Sequence, residues 1–217
     1  MRVVSLNIGR PSVLMRRGRQ FSSAINRRPA AGAIHLNENG FADDQVSDQR
    51  VHGGPEKAAC VFPLEHYAFF ASRLGRELAP PSFGENLTCD GLLEEVACIG
   101  DVYAIGTTHV QITSPRQPCL KLALKHDAPD LPRWIVETGY SGFYLRVLSA
   151  GAIETGAAIE LVERPNPRFT VAEVQRLRYA RRPAAALLRE TLALGELSAS
   201  YRDVLERRAA GESGWVE

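Results

Sequence analysis

Alternating hydrophobic and polar residues near the start of the chain predict a β-strand. Val4, Leu6 and Ile8 alternate with Ser5 and Asn7 before a glycine ends the pattern. Other short strand-like segments lie at residues 30–38, 96–99, 102–105, 109–113, 143–148 and 158–162. Glycine-containing turns separate most of them. We therefore predict a mixed sheet that is closed or nearly closed, because closure removes exposed strand edges.

Helical spacing of apolar residues interrupts this β-rich region twice. The first predicted helix starts near Pro63 and runs to about residue 78, and the second covers residues 131–138. After the proline-containing segment ERPNPRF at 163–169, three further helices are predicted. They start at a capping box formed by Thr170 and Glu173, near Pro183, and at Ser198. The prediction is a mainly β fold with added helices, divided into residues 1–165 and a three-helix bundle at 168–210.

Composition excludes several classes of protein. The chain has 217 residues, 45% hydrophobic and 24% charged, with a net charge of +1, so neither a disordered chain nor a broadly nucleic-acid-binding surface is indicated. No apolar run approaches the roughly 20 residues of a membrane helix, and the N-terminus lacks a signal-peptide pattern. The four cysteines contain no CxxC pair, which argues against a four-thiolate zinc site. We expect reduced thiols and a cytoplasmic protein.

Charge is concentrated at the N-terminus. Residues 1–37 contain seven arginines and no acidic residue. One interpretation is a solvated basic rim, and the other is a surface that binds an anion. Phosphate is the anion we expect in the second case, because the planar guanidinium matches its geometry.

The segment SPRQPCLKL at 114–122 contains the strongest candidate for chemistry. Two prolines restrict the backbone on the N-terminal side of Cys119, which lies between Arg116 and Lys121. Nearby cations favour the thiolate, the form that acts as nucleophile or metal ligand. The alternative is a structural cysteine at a strand end. The other cysteines lack such cations and are interpreted as packing residues.

Three weaker motifs carry polar groups that could meet a ligand. RVHGGPEKA at 50–58 combines two adjacent glycines with donors from His52 and Lys57, and could cradle an oxyanion. FGENL at 83–87 includes Asn86, and FSSAINRR at 21–28 includes Ser23 and Arg27. The alternatives are an ordinary turn for FGENL and a solvated strand end for FSSAINRR.

Taken in order, these segments resemble the MOSC domain, named for the C-terminal domain of molybdenum cofactor sulfurase. The similarity is greatest to stand-alone bacterial members linked to resistance to N-hydroxylated purine analogues. The motifs that carry it are SAI-x-R from Ser23 to Arg27, RVHGGPEKA, FGENL and PRQPCLKL, and TVAEVQRL at 170–177 resembles the start of a three-helix appendage. The chain departs from the pattern at Phe21, where some relatives have a basic residue, and at Lys57, where arginine is common.

The resemblance implies a β-barrel with a cleft for a molybdopterin-type molybdenum cofactor. Cys119 would be the metal ligand and the catalytic residue, since a soft thiolate suits a metal already bound by dithiolene sulfurs. The side chains implied to bind the cofactor are those of Ser23, Arg27, His52, Lys57, Asn86, Arg116 and Lys121. The implied reaction is the reduction of hydroxylaminopurines, hydroxylamines or amidoximes, with electrons from a flavoprotein or a haem or iron–sulfur protein.

Two alternatives stay open at this point. In the first, the protein carries the cofactor or sulfur on Cys119 without turnover of its own. In the second, the helical tail is a DNA-binding module, but its eight arginines and five acidic residues are spread over all three helices, so nucleic acid is not the expected partner. A bundle of this size is expected to pack against the barrel or against a second subunit. In the second case the protein would be a homodimer.

Overall fold

The computed structural model describes residues 1–16, 19–47 and 53–212. Within these ranges the chain forms thirteen strands and six helices. The strands are β1 Arg2–Ile8, β2 Ser12–Arg16, β3 Arg19–Ser23, β4 Arg28–Pro29, β5 Ile34–Asn37, β6 Gly40–Phe41, β7 Ala59–Pro63, β8 Leu87–Asp90, β9 Val102–Ile105, β10 Thr108–Pro115, β11 Phe143–Ser149, β12 Gly151–Ile153 and β13 Ile159–Glu163. The helices are α1 Tyr67–Leu74, α2 Leu120–His126, α3 Leu131–Thr138, α4 Val171–Tyr179, α5 Ala185–Leu192 and α6 Ala199–Ala209. The fold is therefore mainly β with added helices, as predicted.

Eight strands form the main sheet, in the order β13-β9-β10-β11-β7-β8-β1-β4. All neighbours are antiparallel except β7 and β8, which are parallel and are connected through α1. Strands β12, β5 and β6 form a small second sheet, and β2 pairs with β3 in an antiparallel two-stranded sheet that ends at Ser23.

The start of β1 approaches the segment before β13. A single bridge pairs Arg2 with Ala158, and the Ile159 amide donates to the Met1 carbonyl at 3.0 Å. The Val3 amide donates to the Ala157 carbonyl at 2.9 Å. The strand order of the main sheet nevertheless runs from β13 to β4, and among the described residues no ladder joins these two end strands. The predicted closed barrel is therefore not confirmed.

The sheet and the C-terminal helices share one hydrophobic cluster. Its members include Val110 and Ile112 of β10, Val171 of α4 and Tyr201 and Leu205 of α6. Helices α4, α5 and α6 lie where the sequence predicts them, but a self-contained three-helix bundle is not confirmed. The division at residues 165–168 stays a prediction.

The segment between β13 and α4 is fixed to the sheet. Arg164 donates through Nε to Oδ1 of Asp101 at 2.9 Å and through one terminal nitrogen to Oδ2 at 2.7 Å. Asp101 is fully buried, and Asn166 donates to the Ile99 carbonyl at 3.1 Å. These bonds hold the start of α4 in a defined position.

Several elements differ from the sequence prediction. Residues 96–99 form no strand, because turn hydrogen bonds join the Val96 and Ala97 amides to the Leu93 carbonyl. The period-two pattern missed β7 because all five residues of Ala59–Pro63 are buried and no alternation is visible. Helix α2, immediately after Cys119, was not predicted.

In residues 1–16, 19–47 and 53–212, no helix is both long and apolar enough to span a membrane.

Candidate functional site

Loops at one side of the sheet surround an open cleft. Seven of the eight predicted site residues line it, and the eighth, His52, lies outside the described residues. The seven are Ser23, Arg27, Lys57, Asn86, Arg116, Cys119 and Lys121. The described lining contains four cations and only one carboxylate, that of Asp44, so the cleft favours an anionic ligand.

Cys119 lies where an extended segment meets a helix. Strand β10 ends at Pro115, and Cys119 itself is extended, with φ −119° and ψ 128°, directly before α2 begins. Its carbonyl accepts from the Leu122 amide at 2.9 Å. Cys119 is half-buried, whereas Cys60, Cys89 and Cys98 are buried. Among the four thiols, that of Cys119 is therefore the most accessible from the cleft.

Arg116 is the buried cation beside Cys119. The residue is 8% exposed, and one terminal nitrogen donates to the Phe83 carbonyl at 2.8 Å. Its backbone amide donates to the Gly142 carbonyl at 2.9 Å, which fixes the loop. The other terminal nitrogen, Nη1, is buried and has no hydrogen-bond partner among the described residues. Leaving a buried charged donor unpaired is costly, so this nitrogen indicates a place for an acceptor from a ligand.

Two lysines add positive charge on other sides of the cleft. The Lys57 Nζ lies 5.6 Å from the centre of the Tyr144 ring, within the range of a cation–π contact. Burial lowers the pKa of Lys57, and the Glu56 carboxylate opposes that shift. The Lys121 Nζ donates to the Ser22 carbonyl and to the Ser47 Oγ, both at 3.2 Å. Lys121 thus joins the segment after Cys119 to the end of β3.

Arg27 is held in a buried ion pair with Asp44. Its Nε and one terminal nitrogen donate to the two carboxylate oxygens at 2.9 and 2.7 Å, and the two side chains are 8% and 7% exposed. Its remaining terminal nitrogen donates to the Gly84 carbonyl at 2.5 Å. Asp44 also accepts from the Gly9 amide at 2.8 Å. Arg27 therefore stabilises the cleft wall, and most of its positive charge is compensated by Asp44.

The FGENL motif forms the opposite part of this wall. Asn86 donates to Asp44 at 2.9 Å and accepts from the Cys60 amide at 3.1 Å. Gly84 has φ 70°, and a Cβ there would lie 2.8 Å from a side-chain carbon of Ile25, so only glycine fits. Glu85 is fully buried and accepts from the Phe83 amide and from Thr88, at 3.0 and 2.7 Å. The motif is thus a hydrogen-bonded loop rather than an ordinary exposed turn.

Sequence reasoning missed several residues that line the cleft, among them Asp44, Cys60 and Tyr144. Asp44 carried a usable signal, because Asp43 and Asp44 are adjacent carboxylates that follow a long basic segment with no acid of its own. Cys60 and Tyr144 carried none, since each lies within a predominantly apolar strand. Burial raises the pKa of the Cys60 thiol, which keeps that thiol protonated at neutral pH.

His126, at the end of α2, contacts the residue that precedes the FGENL motif. Its Nε2 lies 2.9 Å from the Ser82 carbonyl and its Nδ1 lies 2.7 Å from a terminal nitrogen of Arg76, which together require a neutral ring with the proton on Nε2. Burial lowers the pKa of His126 to about 4, with smaller contributions from the Lys125 and Arg76 cations.

This histidine predicts a pH dependence of stability. The unfolded chain takes up a proton near pH 6.5 and the folded chain only near pH 4, so stability falls as the pH drops through this window. A pKa shift from 6.5 to about 4 corresponds to about 3 kcal/mol, and solvent screening of the partly exposed ring reduces the expected loss of stability to about 2 kcal/mol, measured by urea unfolding at several pH values. The variant His126→Gln should lack this part of the slope, and His109→Gln, at an exposed strand position, should retain it. An unchanged slope in His126→Gln would contradict the assignment.

Comparisons with known proteins agree with this arrangement. The family model described as the MOSC domain matches residues 48–160, which is more than half of the chain. The uncharacterised protein YflK of Bacillus subtilis (strain 168) is 41% identical over 200 residues, covering 92% of this chain and 90% of YflK. The crystal structure of YiiM from Geobacillus stearothermophilus has a TM-score of 0.82 at 38% identity, covering 96% of this chain and 98% of that one.

A third relative is a larger protein. A protein named reductase from Gibberella moniliformis (strain M3125 / FGSC 7600) is 31% identical over 200 residues. The alignment covers 88% of this chain but 34% of that protein, so this chain spans about a third of its length. The family match, the two full-length similarities and the positions of the motifs around one cleft lead to one conclusion. The chain belongs to the MOSC domain family.

Proposed function

We propose that this protein is a molybdenum-cofactor-dependent oxidoreductase that reduces N-hydroxylated compounds. The observation that carries the proposal is the pairing of the half-buried Cys119 with the unpartnered, buried Nη1 of Arg116 in one cation-lined cleft. A thiolate ligand and a donor for an anionic group are what a metal–pterin cofactor with a phosphate would need.

The residues present fit such a group. The cleft is open and is lined by a half-buried thiol, four cations and a buried guanidinium nitrogen that has no partner among the described residues, and these are donors that an anionic metal–pterin group requires. Cys119 would hold the metal. Lys57, Arg116 and Lys121, with the polar groups of Ser23 and Asn86, would face its anionic and polar parts.

The cleft residues have two proposed roles, which are to bind the cofactor and to hold the side chains that bind it. The cofactor, when bound, supplies the two-electron chemistry that cleaves an N–O bond, with two protons taken up and water released. Arg116 and the lysines provide fixed positive charge that favours binding of anionic groups and requires little rearrangement. The hydrogen bonds of Asp44 keep Arg27 and Asn86 in place. The relative named reductase supports this class of reaction.

The proposal extends to the surroundings of the site. Electrons would come from a flavoprotein or from a haem or iron–sulfur protein, and the protein would act in the cytoplasm. The backbone bonds between the start of β1 and the segment before β13 support a sheet closed into a barrel, with α4, α5 and α6 packed on it as the appendage.

The test starts with protein purified from cells that synthesise the cofactor. We expect close to one molybdenum per chain by elemental analysis, and reduction of a hydroxylaminopurine or a benzamidoxime with chemically reduced viologen as electron donor. The product, the amine or the amidine, is measured by chromatography. Protein from cells that cannot synthesise the cofactor is the control and should contain no molybdenum and show no turnover.

The outcomes separate the possible roles. Molybdenum without turnover of any N-hydroxylated substrate would favour a carrier of the cofactor over an enzyme. Absence of molybdenum from protein made in competent cells would overturn the proposal.

A further inference from the structure

Glu56 connects the cleft to the C-terminal helices. We propose that it is a positioning residue that ties the cleft loop at Gly53–Lys57 to the N-terminus of α6, so that the two segments open together. The proposal rests on the proposed function only in that the cleft is taken as the binding site. The connection itself can be measured with the cleft empty.

Three elements meet at Glu56, which lies in a single 3₁₀ turn, Pro55–Lys57. Its Oε2 accepts from the Ala199 amide at 2.9 Å, and its Oε1 accepts from a terminal nitrogen of Arg146 at 3.3 Å. Its backbone carbonyl accepts from the Thr113 hydroxyl at 2.7 Å. Both the side chain and the main chain of Glu56 are therefore fixed from outside the loop.

The helix side of the contact is equally well defined. Ala199 is the first residue of α6, and its amide is one of the early donors that have no acceptor within the helix. A carboxylate at this end also interacts favourably with the helix dipole. The Ser198 amide donates to the Thr113 carbonyl at 3.0 Å, and Arg146 donates to the Glu196 carbonyl at 2.8 Å. The start of α6 is thus held by the same strands that hold Glu56.

On the cleft side, the residue after Glu56 is Lys57. Lys57 lines the cleft together with Gly53 and Gly54, and its amide donates to the Gly54 carbonyl at 2.9 Å. Further along α6, Tyr201 and Leu205 belong to the buried cluster of the main sheet, so the helix gives the loop a rigid support. Glu56 transmits that support to the Lys57 side of the cleft.

The first test uses the empty protein, made in cells that lack the cofactor. Glu56→Ala should raise amide hydrogen exchange at both Gly53–Lys57 and the first turn of α6, by roughly three- to tenfold, as expected for loss of a partly exposed charge-assisted bond. The acetylation rate of Lys57, read by mass spectrometry, should rise in parallel. Glu56→Gln retains an acceptor for the Ala199 amide and should restore most of the protection.

The matched control is Glu190→Ala on α5. It removes an exposed ion pair to Arg168, 3.2 Å long, from the same part of the chain but without contact to the cleft loop. We expect no change in exchange at Gly53–Lys57. Faster exchange at only one of the two segments in Glu56→Ala, or at neither, would overturn the proposal.

The second test compares loaded and empty protein. Binding in the cleft should slow exchange in the first turn of α6 in the natural chain, and this protection should be absent in Glu56→Ala, because coupling between two sites is reciprocal. If the natural chain contains no molybdenum, the proposed function fails while the first test still decides the role of Glu56. If the loaded chain shows no protection of α6, the coupling fails and the proposed function stands.

Discussion

Cys119→Ser is expected to abolish reduction of N-hydroxylated substrates while leaving the fold intact. Loss of a group that only orients a metal ligand typically lowers affinity or activity by about 10–100-fold, so loss of the ligand itself should lower activity by at least about 100-fold. A hydroxyl is a harder and more weakly binding ligand than a thiolate, so the molybdenum content should fall as well. Because Cys119 is half-buried at the cleft, we expect the free energy of unfolding to change by less than about 1 kcal/mol.

Cys98→Ser is the matched control. Cys98 is buried, away from the cleft, with its sulfur 3.6 Å from the Pro167 carbonyl. This variant should retain both molybdenum and turnover. Cys60→Ser tests the second thiol that lines the cleft and should also remain active, since burial keeps that thiol protonated. Full activity in Cys119→Ser, or loss of activity in Cys60→Ser alone, would show that Cys119 is not the metal ligand.

Asp44→Ala should have the largest effect on stability among the cleft residues. The change leaves the Arg27 guanidinium buried without its carboxylate and removes acceptors from the Gly9 amide and Asn86. Breaking a buried ion pair on one side typically costs about 3–5 kcal/mol. Urea unfolding of the empty protein measures this directly.

The neighbouring residue provides the control. Asp43 pairs with Arg10 at 2.7 Å, but the two side chains are 70% and 67% exposed, so Asp43→Asn, which also suits the backbone φ of 62° at this position, should cost less than about 1 kcal/mol. Arg27→Ala should also be destabilising, and Arg27→Ala with Asp44→Ala together should cost less than the sum of the two. Equal effects of Asp43→Asn and Asp44→Ala would show that the buried pair does not hold the wall. A binding role of Arg27 toward a phosphate remains a prediction, tested by the molybdenum content of Arg27→Lys.

The cleft could be predicted from sequence mainly through its motifs. Cys119, Arg116 and Lys57 lie in short segments with unusual combinations of proline, glycine and charge, and such segments are visible without a fold. The partner of Arg27 was not predictable, because an ion pair between residues 17 positions apart depends on how the loops are folded. The same holds for Glu56, whose acceptor role is toward a helix 143 residues later in the chain.

The secondary-structure elements also divide into those that the sequence predicted and those that it did not. Strand β1, whose sequence alternates although both of its faces are largely buried, and helices with clear ends, such as α3 before Gly139, were located correctly. Strand β7 was missed because its buried residues show no alternation of polar and apolar positions, and α2 was missed because the prolines before Cys119 dominated the local signal. The shared hydrophobic cluster agrees with one of the two predicted supports of the small helices, the sheet, although the apolar faces of α4 and α6 alone did not decide between the sheet and a second subunit.

The contact between the two ends of the sheet has a consequence for how the chain folds. The Leu6 amide donates to the Thr155 hydroxyl, a contact between residues 149 positions apart, and the Val3 and Ile159 amides join the same seam. During synthesis on a ribosome, Leu6 of β1 is made 149 residues before Thr155. Until residues 155–159 are made, the backbone groups of β1 that bond to them have no hydrogen-bond partner from this segment. We expect slow folding, with β1 as the last strand to be fully paired, because contacts between distant residues form late.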